Sequence, residues 1–145
     1  MIKISDYMGK SVVTLSEAVI LGRVTDALYD KRLKRVRFLE VSPNDCGENK
    51  KRFLPIKRIR SVKDYISVMN LNGILFEDEA DLNRAETIWN AKIVTTEGRS
   101  QGSLTDLEII DSNGALERFM TDYGELSTDK IANVGKHLFI VYEDG

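Results

Sequence analysis

Side chains that act as nucleophiles or soft metal ligands are scarce in this sequence of 145 residues, which has one cysteine, Cys46, and one histidine, His137. His137 precedes Leu138 in what we expect to be the last strand, and a lone histidine without clustered carboxylates is a poor metal ligand. Cys46 falls in the polar segment 42–50, whose composition is typical of a surface loop, and no base is expected near it. We therefore predict no catalytic residue, no metal site and no cofactor, and expect Cys46 to be an exposed thiol.

A threonine–aspartate pair occurs twice, at Thr25–Asp26 and Thr105–Asp106. Acid–base catalysis at either aspartate would require a second carboxylate or a base beside it, and the sequence predicts neither. The alternative is that these short polar side chains satisfy backbone groups at a bulge or turn. Gly22 and Gly102, four residues before each aspartate, fit a bulge or a tight barrel corner, so we favour the structural role.

The strongest charge signal is residues 50–63, which contain seven lysines and arginines and no acid. Such a cluster is suited to phosphate contacts with RNA, and Phe53 within it could stack on a base. Phe53 also alternates with its basic neighbours as a core residue of a strand does. Docking onto an acidic protein surface would use the same charges. The candidate partner-binding residues are Lys50, Lys51, Arg52, Lys57, Arg58, Arg60 and Lys63.

The formal charge of −2 conceals a strong asymmetry. Residues 1–76, the first half, have 15 lysines and arginines against 8 acids, a net charge of +7. Residues 77–145, the second half, have 6 against 15, a net charge of −9. A basic half can attract an anionic partner, but the two halves, or two copies of the chain, can equally neutralise each other.

The sequence contains an internal repeat of two copies. Four segments match in order, at offsets of 82, 80, 81 and 72: 7–14 with 89–96, 22–26 with 102–106, 37–39 with 118–120, and 54–62 with 126–134. The polar segment 42–50 is present only in the first copy and accounts for the last change of offset. The sequence therefore predicts two small domains, 1–76 and 77–145, which pack together because each alone has a thin core.

Within each copy the pattern is that of short strands. Apolar residues alternate with polar ones around Val24 and Val36, and the turn residues 111–114 lie between two apolar runs, as in a hairpin. Residues 30–34 would be the equivalent turn of the first copy. Short helical turns are predicted at 57–62 and 129–134, before a last strand in each copy, and a short connecting helix at 79–86. The fold class is mainly β, in small barrels.

Three segments carry a resemblance to a known family. They are Gly9–Val13, then Gly22–Asp26 with its Gly-x-Val-x-Asp pattern, then Leu54–Ile56 with Ile59 and Val62 behind it. This order resembles the PRC-barrel family, which includes the photosynthetic reaction centre H subunit and the C-terminal half of a ribosome maturation factor. The resemblance implies two tandem PRC-barrel-like β-barrels with short helical turns. It also implies a protein without catalytic activity that docks onto other macromolecules.

Taken together, the sequence predicts a cytoplasmic, non-enzymatic adaptor that binds a protein partner, with homodimerisation a further option. The alternative is an RNA- or ribosome-associated factor that uses the basic face of the first half. The longest apolar runs have four or five residues, far short of the ~20 that a membrane helix requires, and the first residues do not resemble a secretory signal. We therefore expect no membrane insertion.

Overall fold

The computed structural model describes residues 1–43, 50–77 and 85–143. Fifteen strands and three short 3₁₀ helices make up the described regular structure, so the prediction of a mainly β fold with short helical turns is confirmed. The 3₁₀ helices are Ile4–Asp6, Ile56–Arg58 and Thr128–Lys130. The strands are β1 (Ile2–Lys3), β2 (Ser11–Thr14), β3 (Val19–Asp30), β4 (Arg35–Ser42), β5 (Arg52–Pro55), β6 (Ile59–Val62), β7 (Ile66–Val68), β8 (Leu75–Phe76), β9 (Ala85–Thr87), β10 (Lys92–Thr95), β11 (Ser100–Ile109), β12 (Leu116–Thr121), β13 (Gly124–Leu126), β14 (Ile131–Gly135) and β15 (Leu138–Val141).

The strands form two sheets with the same central plan. The first runs β6-β7-β2-β3-β4-β5-β8, and the second runs β13-β12-β11-β10-β15-β14. In each, a long antiparallel hairpin (β3–β4 or β11–β12) adjoins a short strand that also pairs, in parallel, with the last apolar strand. The architecture therefore fits two small β-barrels. The helical turns are shorter than predicted, because residues 59–62 and 131–134 already belong to strands.

Each half contributes one strand to the other half's sheet. β1 pairs with β11, and β9 pairs with β3. The prediction of a helix at 79–86 is wrong for residues 85 and 86, which belong to β9. The other residues of that prediction, 79–84, lie outside the described residues. The exchange joins the two halves by backbone hydrogen bonds, so neither sheet is complete without the other half.

The strand register corrects the sequence alignment of the two halves. Leu28 lies opposite Phe38 in the first hairpin, and Glu108 lies opposite Arg118 in the second. The hairpins therefore correspond at an offset of 80 throughout, and the alignment of 37–39 with 118–120 is one residue out. The alignment of 7–14 with 89–96 has the same error, since the Thr14 and Thr95 hydroxyls accept from the amides of Val19 and Arg99. A one-residue slip moves every strand side chain to the opposite face.

One hydrophobic core runs through both halves, as predicted. Tyr29 of β3 and Phe119 of β12 both pack against Phe139 of β15, with ring centroids 6.1 Å and 4.8 Å away. Ile4 and Ile88, which follow the exchanged strands, are fully buried in the same cluster. A second, small cluster of Leu28, Phe38 and Phe53 lies on the outer face of β3, β4 and β5. The long hairpin β3–β4 is thus covered on both faces at its far end, next to the cleft described below.

Candidate functional site

A cleft rich in positive charge opens at the tip of the β3–β4 hairpin. Its volume is about 910 Å³. The walls come from the hairpin tip, the end of β5 with the following 3₁₀ helix, the segment before β8 and the turn between β11 and β12. Among the lining residues that the structure describes, four are cations, Arg32, Arg35, Arg37 and Lys57, and one is an acid, Asp30. We call this the cationic cleft.

Contact between the two hairpin tips positions one wall of the cleft. The Val36 amide donates to the Gly114 carbonyl at 2.8 Å, and the Leu116 amide donates to the Lys34 carbonyl at 3.3 Å. Gly114 has a φ of 77°, and a Cβ there would lie 2.0 Å from the Val36 oxygen. Only glycine fits this approach. The turn at 111–114, predicted from sequence, therefore also forms part of the cleft wall, through Ser112 and Asn113.

Asp30, the acid among the described lining residues, already has hydrogen-bond partners. Asp30 accepts hydrogen bonds from the amides of Arg32 and Leu33, and Arg37 Nη1 lies 3.3 Å from its Oδ2. Burial raises the pKa of Asp30, but the hydrogen bonds from Leu33, Arg32 and Arg37 outweigh burial and lower its pKa below the ordinary value. The carboxylate is therefore a charged structural anchor for the hairpin tip. Asp30 offsets the charge of Arg37, and it is not paired with the other three lining cations.

The charges of Arg32, Arg35 and Lys57 have no ion-pair partner within residues 1–43, 50–77 and 85–143. Arg32 and Lys57 are exposed, and Arg35 is half-buried. A partly enclosed group of like charges attracts anions more strongly than isolated surface charges do. The geometry can therefore bind carboxylate or phosphate groups.

The seven basic residues singled out from the sequence are distributed over several places. Lys57 lines the cleft, and the Arg58 guanidinium lies against Gly73 of the cleft wall. Lys51 pairs with Glu40 at 3.1 Å. The remaining four lie away from the cleft lining: Lys50 and Arg52 over the Phe76 ring, Arg60 exposed in β6, and Lys63 exposed in the turn after β6.

Base stacking by Phe53, one of the alternatives above, is contradicted. Phe53 is 4 % exposed and belongs to the cluster with Leu28 and Phe38. It is a core residue, as its alternation with basic neighbours also allowed. The ring that cations of residues 50–63 contact is Phe76 instead, whose centroid lies 4.4 Å from the Arg52 guanidinium.

Sequence reasoning missed the basic residues that matter most for the cleft. Residues 31–37 contain five lysines and arginines and no acid, a higher density than 50–63. The signal was present, but residues 31–34 were assigned to a turn and Arg35 and Arg37 to the polar face of a strand. Local pattern alone does not indicate that this tip faces a second hairpin.

The first repeated aspartate lies where the two halves join. Asp26 Oδ1 accepts from the amides of Ala27, Ile88 and Trp89 at 2.8–3.1 Å. His137 Nε2 lies 2.6 Å from Asp26 Oδ2. A base does therefore accompany this aspartate, which the sequence did not predict. His137 is not in the last strand as expected, but in the turn before β15, with a φ of 50°.

The second repeated aspartate has the same structural role. Asp106 accepts from the amides of Ser5 and Leu107 and from the Ser5 hydroxyl. The preceding threonines are exposed, and Thr25 donates to Glu40. Gly22 and Gly102 have positive φ and lie at register shifts of the ladder. The structural interpretation, backbone satisfaction beside a bulge, is confirmed for the two aspartates.

No group of three or more histidine, cysteine, aspartate or glutamate side chains with metal-site geometry occurs in the described part of the chain. The predicted loop thiol, Cys46, lies outside the described residues. Residues with described positions include no helix that is long and apolar enough to cross a membrane.

Comparison with known proteins assigns the family. The family model described as the PRC-barrel domain matches residues 1–75, just over half of the 145 residues. None of the curated proteins compared with the chain matches it. The matched segment contains the strands β1–β7, the first residue of β8 and most of the described residues that line the cationic cleft. The chain therefore belongs to the PRC-barrel domain family.

Proposed function

We propose that this protein is a non-enzymatic adaptor that binds an acidic surface of a protein partner in its cationic cleft. The observation that carries the proposal is the set of three cations, Arg32, Arg35 and Lys57, that line one cleft without ion-pair partners among the described residues. Membership of the PRC-barrel family supports an interaction role in general. We further propose that the protein acts in the cytoplasm without a metal or cofactor, and that residues 77–145 form a second PRC-barrel-like domain.

Photo-crosslinking tests where a partner docks. A photoreactive amino acid replaces Leu33, which is 46 % exposed on the cleft wall, and a second version replaces Tyr123, which is 75 % exposed in the second half. In cells that produce the protein naturally, we expect a discrete protein adduct from position 33 and none from position 123. The adduct should disappear when Arg32 and Arg35 are changed to glutamate, and an adduct that survives this change would contradict the proposal.

The proposed absence of enzymatic activity has its own test. His137→Gln removes the imidazole beside Asp26 and leaves the amide contacts of Asp26 intact. Metabolite profiling of purified protein with cell extract should show no turnover, and no difference between the variant and the wild type. A product that the wild type forms and His137→Gln does not form would indicate acid–base chemistry at this pair instead.

A second candidate function is RNA or ribosome association, favoured by the density of arginines at the hairpin tip, Arg32, Arg35 and Arg37. In the crosslinking experiment, this function predicts an adduct that ribonuclease removes and binding that falls steeply with salt. A third outcome is an adduct between two copies of this chain, which would indicate that the basic half docks onto the acidic half of a second copy. Either outcome would replace the heterologous protein partner.

A further inference from the structure

The cationic cleft carries information on the kind of acidic segment that it accepts. We infer that its ligand is an extended peptide segment in which carboxylates alternate with apolar side chains. This inference rests on the proposed docking function and specifies the chemistry of its partner.

The spacing of the cleft cations favours an extended ligand. Arg35 and Arg37 are two residues apart in β4 and both line the cleft, while Val36 between them is fully buried in the main core. A register shift at this point leaves Arg37 as the extra residue of a bulge, with its guanidinium 5.0 Å from the Phe38 ring. An extended ligand presents alternate side chains on one face, ~7 Å apart. One carboxylate of such a ligand would meet Arg35, and the next would meet Arg37, which donates to Asp30 through Nη1 and has further guanidinium donors.

Apolar groups line the cleft together with these charges. Leu33 is exposed there, and Leu75 and Pro55 are half-buried lining residues. Aliphatic ligand side chains can cover these surfaces and contribute hydrophobic contact, which a ligand made only of carboxylates cannot. The lining thus favours a segment that presents both kinds of side chain.

The same lining does not favour nucleic acid. Phe38 is the only aromatic residue among the lining residues that the structure describes, and it is 6 % exposed, beneath Arg37. Proteins that bind single-stranded nucleic acid combine positive charge with accessible aromatic rings on which bases stack. The cleft has the charge without the accessible ring, so a peptide is the better fit.

Fluorescence anisotropy with two labelled peptides of identical composition tests the inference on the full chain. One nine-residue peptide alternates glutamate with leucine, and its isomer has all glutamates followed by all leucines. We expect the alternating peptide to bind about tenfold more tightly, and the double variant R32Q/R35Q to lose about tenfold of that affinity. R60Q removes an exposed arginine outside the cleft lining and serves as the matched control, with less than about a twofold effect.

The other possible results of this experiment contradict either the inferred ligand or the proposed docking function. Equal affinity for the two isomers, or no loss in R32Q/R35Q, would overturn the alternating segment as ligand. A nine-residue uridine oligonucleotide that displaces the alternating peptide at lower concentration would overturn it in favour of RNA. If the crosslinked protein partner is lost in the glutamate variants while the isomers bind equally, the docking function holds and only this inference fails. Urea unfolding of both glutamine variants verifies that they are folded.

Discussion

The two halves of the molecule are joined at two corresponding aspartates, Asp26 and Asp106, which perform the same task to different extents. Each accepts the amide of the next residue and an amide from the segment that follows an exchanged strand of the other half. Asp26 is 7 % exposed and binds three amides and His137. Asp106 is half-buried, and its additional partner is the Ser5 hydroxyl.

We call the contacts of Asp26 the first junction and those of Asp106 the second junction. The difference shows that correspondence in sequence does not make these two junctions equivalent. Buried donors that lose their acceptor cost more than donors that water can reach, so the burial of Asp26 increases the energetic weight of its contacts. We expect the first junction to determine whether the halves stay together, and the second to contribute mainly local order. Four substitutions test this asymmetry and its consequences for the hairpin tips.

Asp26→Ala should have the largest effect. It removes the carboxylate that accepts from the amides of Ala27 and Trp89, while the Ile88 amide still donates to the Ala27 carbonyl, and the free energy of unfolding should fall by about 3 kcal/mol. Urea unfolding followed by Trp89 fluorescence measures the loss. Asp26→Asn keeps one acceptor oxygen, so its loss of unfolding free energy should be smaller than that of Asp26→Ala. A loss below that of Asp106→Ala would reverse the comparison.

Gly114→Ala should follow, because it separates the hairpin tips. The positive φ costs about 1 kcal/mol for a residue with a Cβ, and overlap with the Val36 oxygen adds about 2 kcal/mol. Gly98→Ala is the matched control, because Gly98 has a φ of 83° and open space around the added Cβ. In thermal unfolding, the midpoint temperature of Gly98→Ala should be well above that of Gly114→Ala. Equal stability of the two variants would show that the close approach to Val36 is unimportant.

Asp106→Ala should destabilise the protein by about 1 kcal/mol, because water can replace the partly exposed carboxylate. Hydrogen exchange should localise the change to residues 1–6 and leave the β9–β3 pairing protected. Faster exchange across both junctions would indicate that the two aspartates form one cooperative unit.

The smallest effect is the pH dependence from Asp30, whose counterpart at the offset of 80 is Ile110. Because its pKa is lower in the folded protein than the ordinary 3.8, the carboxylate stabilises the fold above that pH. This contribution disappears as the pH falls through the folded pKa. Asp30→Asn should flatten the decline in unfolding free energy below about pH 4. Glu117→Gln, at an exposed residue of β12, should retain the wild-type decline, and parallel curves for all three proteins would refute the role of Asp30.

The alignment of the halves shows how far sequence pattern can be trusted here. Short motifs indicated the corresponding strands correctly, but placed Arg37–Leu39 one residue away from the register in the sheet. Charge density and similar residue types cannot fix register, because both faces of this hairpin are buried at its far end and alternation is weak there. The hydrogen-bonded ladder fixes it.

The candidate site was predicted only in part for a related reason. Lys57 and Arg58 were identified from composition and do contact the cleft. Arg32 and Arg35 were treated as turn and strand surface, because their importance comes from the second hairpin about 80 residues later. Their neighbours in the chain give no indication of that contact.

By itself the sequence determined the strands, the hairpin turns, the bulge glycines and the opposite charges of the two halves, since these follow from local periodicity and composition. The tertiary structure alone decided the exchange of β1 and β9, the pairing of Asp26 with His137 and the enclosure of the cationic cleft. These contacts join residues about 60 to 110 positions apart, and their geometry depends on how the shared core packs.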